Sequence, residues 1–99
     1  MREYELVAIL SPEITEDELP QAVERLGQLI ERQGGKVLSL EQWGRKKFAY
    51  PIKHYGEGNY VVTRFELEPE RTAELENNLK LSEEILRHLL VKVSNRTRI

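Results

Sequence analysis

The sequence predicts an α+β fold, a four-stranded antiparallel sheet with two helices on one of its faces. Three patterns predict it. Apolar residues alternate at period two in Tyr4–Leu10 and in Asn59–Leu67, as they do in half-buried strands. Apolar residues between Leu19 and Ile30 recur at spacings of three and four, the stripe of a core-facing helix. The elements then follow one another as strand, helix, strand, strand, helix, strand.

The first strand, Tyr4–Leu10, sets Tyr4, Leu6, Ala8 and Leu10 on one face and stops at Ser11-Pro12, because proline has no N–H to give to a ladder. Thr15-Glu16-Asp17-Glu18 reads as a capping box, with Thr15 as N-cap and Glu18 reaching back. Leu19, Val23, Leu26 and Ile30 form the stripe of the helix that follows. Pro20 fits in its first turn, and Gly34-Gly35 provides the stop. The second strand starts at Lys36 with imperfect alternation, bends at Gly44 and breaks at Pro51, after which Lys53–Gly58 reads as a loop. In Asn59–Leu67, Val61, Thr63, Phe65 and Leu67 share one face, and the strand pairs with its predecessor as a hairpin. Pro69 opens a second helix whose stripe is Thr72, Leu75 and Leu79, with a break near Ser82. The closing run Leu89–Val93 is apolar on both faces, which suits a central strand or one whose outer face is covered. This order is the ferredoxin-like split motif, with the first and last strands expected at the centre of the sheet.

Ninety-nine residues predict one domain, 1–99, with 95–99 as a short basic tail. The chain has no cysteine, which excludes disulfides, thiolate catalysis and cysteine-based zinc sites. No apolar run approaches the ~20 residues of a membrane span. Two acids before the first apolar run argue against a signal peptide, so the expected location is cytoplasmic. The formal net charge is −2, but it is unevenly spread. Lys36–His54 holds five basic residues against one acid, and Arg87–Ile99 holds four against none, giving +8 for the two segments. The remaining six basic and sixteen acidic residues carry −10. The acidic segments are the helices, so the expected molecule has an acidic helix layer. Its basic residues should converge into one phosphate-facing surface at a sheet edge and the chain end.

Nothing in the chain assembles an active site. The two histidines, His54 and His88, lie in different elements and neither sits beside a nucleophile turn. The glycines spell neither a P-loop nor a dinucleotide fingerprint, and no metal or cofactor site is expected. Acylphosphatases share this fold and cradle phosphate in a glycine-containing loop after the first strand, leading to an arginine. Here that place reads Leu10-Ser11-Pro12-Glu13, with an acid where the phosphate would sit.

The nucleic-acid reading rests on Trp43-Gly44-Arg45-Lys46-Lys47-Phe48-Ala49-Tyr50-Pro51-Ile52-Lys53. Cations there neutralise phosphates and aromatics can stack on splayed bases, although Phe48 is expected to be core. The same run, with Gly58 and Tyr60, the opening Met1–Glu5 and the closing Leu86–Lys92, resembles the signature of the bacterial small-subunit ribosomal protein six family over nearly the whole chain.

The resemblance implies a non-catalytic structural constituent of the small ribosomal subunit, monomeric outside the ribosome. It would bind the central domain, or platform, of the small-subunit ribosomal RNA together with the eighteenth protein of that subunit. By likeness, Arg2, Arg45, Lys46, Lys47, Lys53, Arg87 and Lys92 are the candidate phosphate contacts, supported by Trp43 and Tyr50. Val7, Ile9, Tyr60, Val62, Leu89 and Val91 are the candidate protein-partner surface. Some family members end in an acidic tail, whereas this chain ends Asn95-Arg96-Thr97-Arg98-Ile99. The alternative is a free-standing RNA-recognition-type binder of single-stranded RNA, which would read bases with a sheet-face aromatic such as Tyr60.

Overall fold

The computed structural model describes residues 1–93, so the predicted tail at 95–99 lies outside the described residues. Four strands, β1 (Arg2–Leu10), β2 (Lys36–Ile52), β3 (Tyr55–Leu67) and β4 (Ile85–Lys92), form one antiparallel sheet in the order β2-β3-β1-β4. Helices α1 (Leu19–Arg32) and α2 (Thr72–Leu81) are the two predicted ones, the second preceded by a 3₁₀ turn at Pro69–Arg71. This is the ferredoxin-like arrangement.

One expectation needs correction. The central strands are β1 and β3, and the last strand is an edge. A helix is ~10 Å across, about two strand spacings, so each strand–helix–strand crossover returns to the sheet one strand further out. The two crossovers interdigitate: β3 fills the gap between β1 and β2, and β1 fills the gap between β3 and β4.

The core lies between sheet and helices. Tyr4, Leu6, Ala8 and Leu10 of β1 and Val61, Thr63, Phe65 and Leu67 of β3 are all buried, as their alternation predicts. Val23, Leu26 and Ile30 of α1 and Leu75 and Leu79 of α2 close over them. Thr63, the polar member of that row, donates its hydroxyl to the Ser39 carbonyl at 2.8 Å. The capping box forms reciprocally: Glu18 N–H donates to Thr15 Oγ1, and Thr15 N–H to Glu18 Oε1, both at 3.3 Å. It closes the turn that leads into α1 and leaves Pro20 in the first helical turn, where no N–H is missed.

The irregular parts of β2 have local causes. Between Val37 and Ser39 the register shifts, so Val37 and Leu40, three residues apart, both face the core while Leu38 is exposed. A second bulge falls at Gly44, whose φ of +91° is the left-handed conformation that glycine adopts without a Cβ penalty. Pairing lapses between Lys47 and Ile52, across the segment containing Pro51, and then resumes. The predicted six-residue loop is in fact a two-residue hairpin: Ile52 pairs with Tyr55, and only Lys53 and His54 turn the chain. Both have positive φ, 51° and 75°, the signature of a type I′ turn, at a cost of about 1 kcal/mol or more each for residues with a Cβ. The last strand likewise starts at Ile85, earlier than Leu89.

Two glycines of β3 give a direct stability test. A Cβ on Gly58 would fall 2.6 Å from Ile9 Cγ2, 2.9 Å from Phe48 Cζ and 3.1 Å from the Leu10 carbonyl oxygen, whereas one on Gly56 meets nothing within 4 Å. Gly58→Ala is expected to lower stability by about 1–3 kcal/mol through overpacking, and Gly56→Ala to change it by less than about 1 kcal/mol. Urea denaturation of the two variants checks this, and equal effects would contradict the packing described.

Candidate nucleic-acid interface

The basic run occupies an arm that overhangs the sheet. At the level of Leu10, the last residue of β1, the paired residues are Asn59 of β3 and Arg45 of β2. Beyond it β2 and β3 continue alone to the turn at Lys53-His54, ~13 Å further at the usual strand rise. From Gln42 to Gly56 this arm contains no acidic residue. Lys46, Lys47 and Lys53 are exposed and make no ion pair among the described residues. Tyr50, in the unpaired stretch, is 80% exposed. The arm therefore offers three unmasked cations and an open aromatic ring, a combination suited to phosphates and an unstacked base.

The arm is braced where it leaves the sheet. Arg45 donates to Glu57 Oε2 at 3.2 Å and to the Pro12 carbonyl at 3.1 Å, and the Asn59 side chain donates to the Ser11 carbonyl at 3.2 Å. A hydrogen bond to Glu13 raises the pKa of the Tyr55 phenol. Arg45, a candidate phosphate contact, thus has both ends of its guanidinium engaged within the molecule and holds the arm to the β1–α1 loop.

The expected convergence of all basic residues into one surface is not what the fold produces. Arg87 pairs with Ile9 at the arm's end of the sheet but on the opposite edge. Arg2 pairs with Leu67, and Lys92 with Tyr4, at the far end. Nine residues of β3 separate the Arg2 level from the Lys46 level, ~30 Å at the usual rise. The basic residues form one dense group on the arm and three residues away from it: β4 carries Arg87 and Lys92 along the opposite edge to its two ends, and Arg2 starts β1 at the far end. The helix layer is close to neutral and not acidic as expected: exposed Glu24, Glu31, Glu70 and Glu74 are matched by exposed Arg25, Arg32, Arg71 and Lys80. The acids gather instead in the flanking loops, at Glu16, Asp17 and Glu18 and at Glu83 and Glu84.

The candidate partner residues do come together. Val7 is opposite Val62 and Leu89, Ile9 is opposite Tyr60, and Val91 is opposite Glu5, all on the sheet face that no helix covers. Leu89 and Val91 are 60% and 46% exposed, so the double-sided apolarity of the last strand marks an open outer face. Phe48 belongs here and not to the core as expected: it is half-buried, tilted against Tyr60 with ring centroids 6.3 Å apart. Its displacement follows from the Gly44 bulge and the lapse in pairing, which shift which side chains of β2 point inward; alternation alone gave no signal of this.

The histidines do not approach each other. His54 is at the arm's turn, and His88 faces the helices, its Nε2 2.9 Å from Glu76 Oε1. Among the described residues no group of three or more His, Cys, Asp or Glu is placed to hold a metal ion, and no helix is long and apolar enough to cross a membrane.

Comparison with known proteins gives one consistent match. The family model for ribosomal protein S6 matches residues 3–92. The chain is 37% identical over 92 residues to small ribosomal subunit protein bS6 of Carboxydothermus hydrogenoformans, covering 93% of this chain and 96% of that one. It is 39% identical over 93 residues to the bS6 of Moorella thermoacetica, covering 94% and 95%. Among solved structures, the crystal structure of 30S ribosomal protein S6 from Thermotoga maritima matches with a TM-score of 0.86 at 36% identity, covering 93% of this chain and 87% of that one.

Proposed function

This chain belongs to the ribosomal protein S6 family, as a structural constituent of the small ribosomal subunit, and from that membership we propose that it binds small-subunit ribosomal RNA through the overhanging arm. The supporting observation is the arm itself, which extends past the sheet with Lys46, Lys47, Tyr50 and Lys53 turned to solvent, its one carboxylate, Glu57, being paired with Arg45. A polyanion approaching the molecule meets its most favourable potential there and its least favourable at the acidic loops that flank the helices. Arg45 supports the contact by bracing the arm. Arg87 reaches the same RNA from the opposite edge, whereas Arg2 and Lys92 meet phosphate only on a path running the length of the sheet.

The RNA target is the central domain, and the eighteenth small-subunit protein docks on the open sheet face around Val7, Ile9, Tyr60, Val62, Leu89 and Val91. A contiguous apolar surface of this kind, rimmed by charge, is what a soluble chain keeps for a partner. The chain acts in the cytoplasm as one non-catalytic domain, monomeric until it assembles. Filter binding of a central-domain RNA fragment, with and without the eighteenth protein, tests this. Affinity should fall steeply with salt, with a log–log slope of about −3 to −5 for four to six phosphate contacts. A salt-independent affinity would overturn the proposal. Loss of all RNA binding on Tyr60→Ala, with the salt slope of the arm absent, would favour a free-standing single-strand binder instead.

A further inference from the structure

Trp43 sits next to the basic arm in sequence, but the fold turns it toward different chemistry. Trp43, two residues from Glu41 and just before the Gly44 bulge, shares the open sheet face with Glu41, where it lines a shallow groove of about 490 Å³ with Glu5, Ser39, Glu41, Val62 and Arg64. Its indole Nε1–H donates to Glu41 Oε1 at 3.0 Å, which fixes the ring against β2 while leaving it 53% exposed. Val62, in this groove, is directly opposite Val7. Val7 lines the neighbouring groove of about 350 Å³ with Ile9 and Leu89. The two grooves are neighbours across the Val7–Val62 pair.

Arg87 lines the second groove, whereas the charge of the Trp43 groove disfavours nucleic acid. Arg64 is the cation lining the first groove, and it is already engaged by Glu5 at 3.2 Å and Glu3 at 3.4 Å. Glu41 remains with acceptor capacity beyond the indole. With three carboxylates against one guanidinium, this end of the face carries −2 where the arm is positive, and phosphate is repelled from it.

We infer that Trp43 is an anchor of the protein-docking face and that, with Glu41 beside it, it selects a partner segment carrying an apolar side chain next to a lysine or arginine. The inference rests on the docking reading above and names what that partner must present. The indole gives a large rigid contact area, the kind of residue that dominates interface energy, and the carboxylates supply the complementary field. The family resemblance places Trp43 in support of the RNA contacts, whereas its indole is bonded to Glu41 in a groove of net negative charge.

Trp43 is the chain's one tryptophan, so 5-fluorotryptophan gives a single ¹⁹F resonance. That resonance should shift on addition of the eighteenth protein and stay in place on addition of the central-domain RNA fragment alone. Trp43→Ala should raise the Kd for the eighteenth protein by about 30-fold or more without changing the salt slope for RNA. Glu41→Lys should slow association by about tenfold at low salt, with the difference closing at high salt. Val7→Lys, at the centre of the face, reports on the docking reading separately. Retained affinity in that variant overturns the docking itself. Loss of affinity in Val7→Lys together with a Kd within about threefold for Trp43→Ala, or a ¹⁹F shift caused by RNA alone, overturns the role given to Trp43 and leaves the docking standing.

Discussion

Changing Lys46, Lys47 and Lys53 together to alanine is expected to flatten the salt dependence of RNA binding by about 2 to 3 units of log–log slope, at ~0.7–0.9 per phosphate contact. Between 50 and 200 mM salt, the wild-type chain should then lose about 20- to 40-fold more affinity than the triple variant does. The size of the effect follows from the arm's geometry. These lysines are exposed, unpaired among the described residues and at the end of a braced hairpin, so each can meet a phosphate without breaking an internal contact. Arg45→Ala should behave differently. Its guanidinium is bound to Glu57 and the Pro12 carbonyl, so the variant loosens the arm and weakens binding with less change of slope than one lysine gives. The Arg2→Ala, Lys92→Ala double variant, ~30 Å away, reports whether RNA runs along the sheet. A triple lysine variant with an unaltered slope would remove the arm as the phosphate surface.

Phe65→Ala should cost about 3–5 kcal/mol of stability, a large share of the ~5–15 kcal/mol of a typical domain. Phe65 is fully buried near the C-terminal end of β3 and stacked on Tyr4 of β1, ring centroids 5.8 Å apart and planes 27° from parallel. Both strands are hydrogen-bonded on both sides, so the backbone around the lost ring cannot collapse into the space, and the cavity term adds to the lost burial. Urea denaturation should show the midpoint lowered by more than about 1 M at nearly unchanged m-value. A loss below about 1 kcal/mol would mean that Phe65 is not packed as described.

The regular elements were legible because their signals are local. Alternation identified the core-facing rows of β1 and β3, since the strand period of two leaves no choice of face once one side is apolar, but gave no sign that Ile9 and Val62 on the other face are buried as well. The stripe from Leu19 to Ile30 and the Thr15–Glu18 box gave α1 for the same reason. The second strand was only partly legible. Its bulges shift the period twice, so Val37 and Leu40 share a face that simple alternation denies them, and Phe48 leaves the core it was expected to join. The partner patch was legible as excess apolarity in β4 and on the outer positions of β1 and β3. Its coherence required the register that sets Val7 between Val62 and Leu89.

By itself the sequence determined the element order, the core faces, the arm's run of cations and, through the motif from Trp43 to Ile52, the family. Only the tertiary structure decided that β4 is an edge strand, that Arg2 and Lys92 stand apart from the arm, that Arg45 braces rather than projects, and that the Trp43 indole is bonded to Glu41. The physical reason is range. Periodicity and capping act within a few residues, whereas strand order, bulge geometry and ion pairing depend on groups dozens of residues apart that only the closed sheet brings within contact.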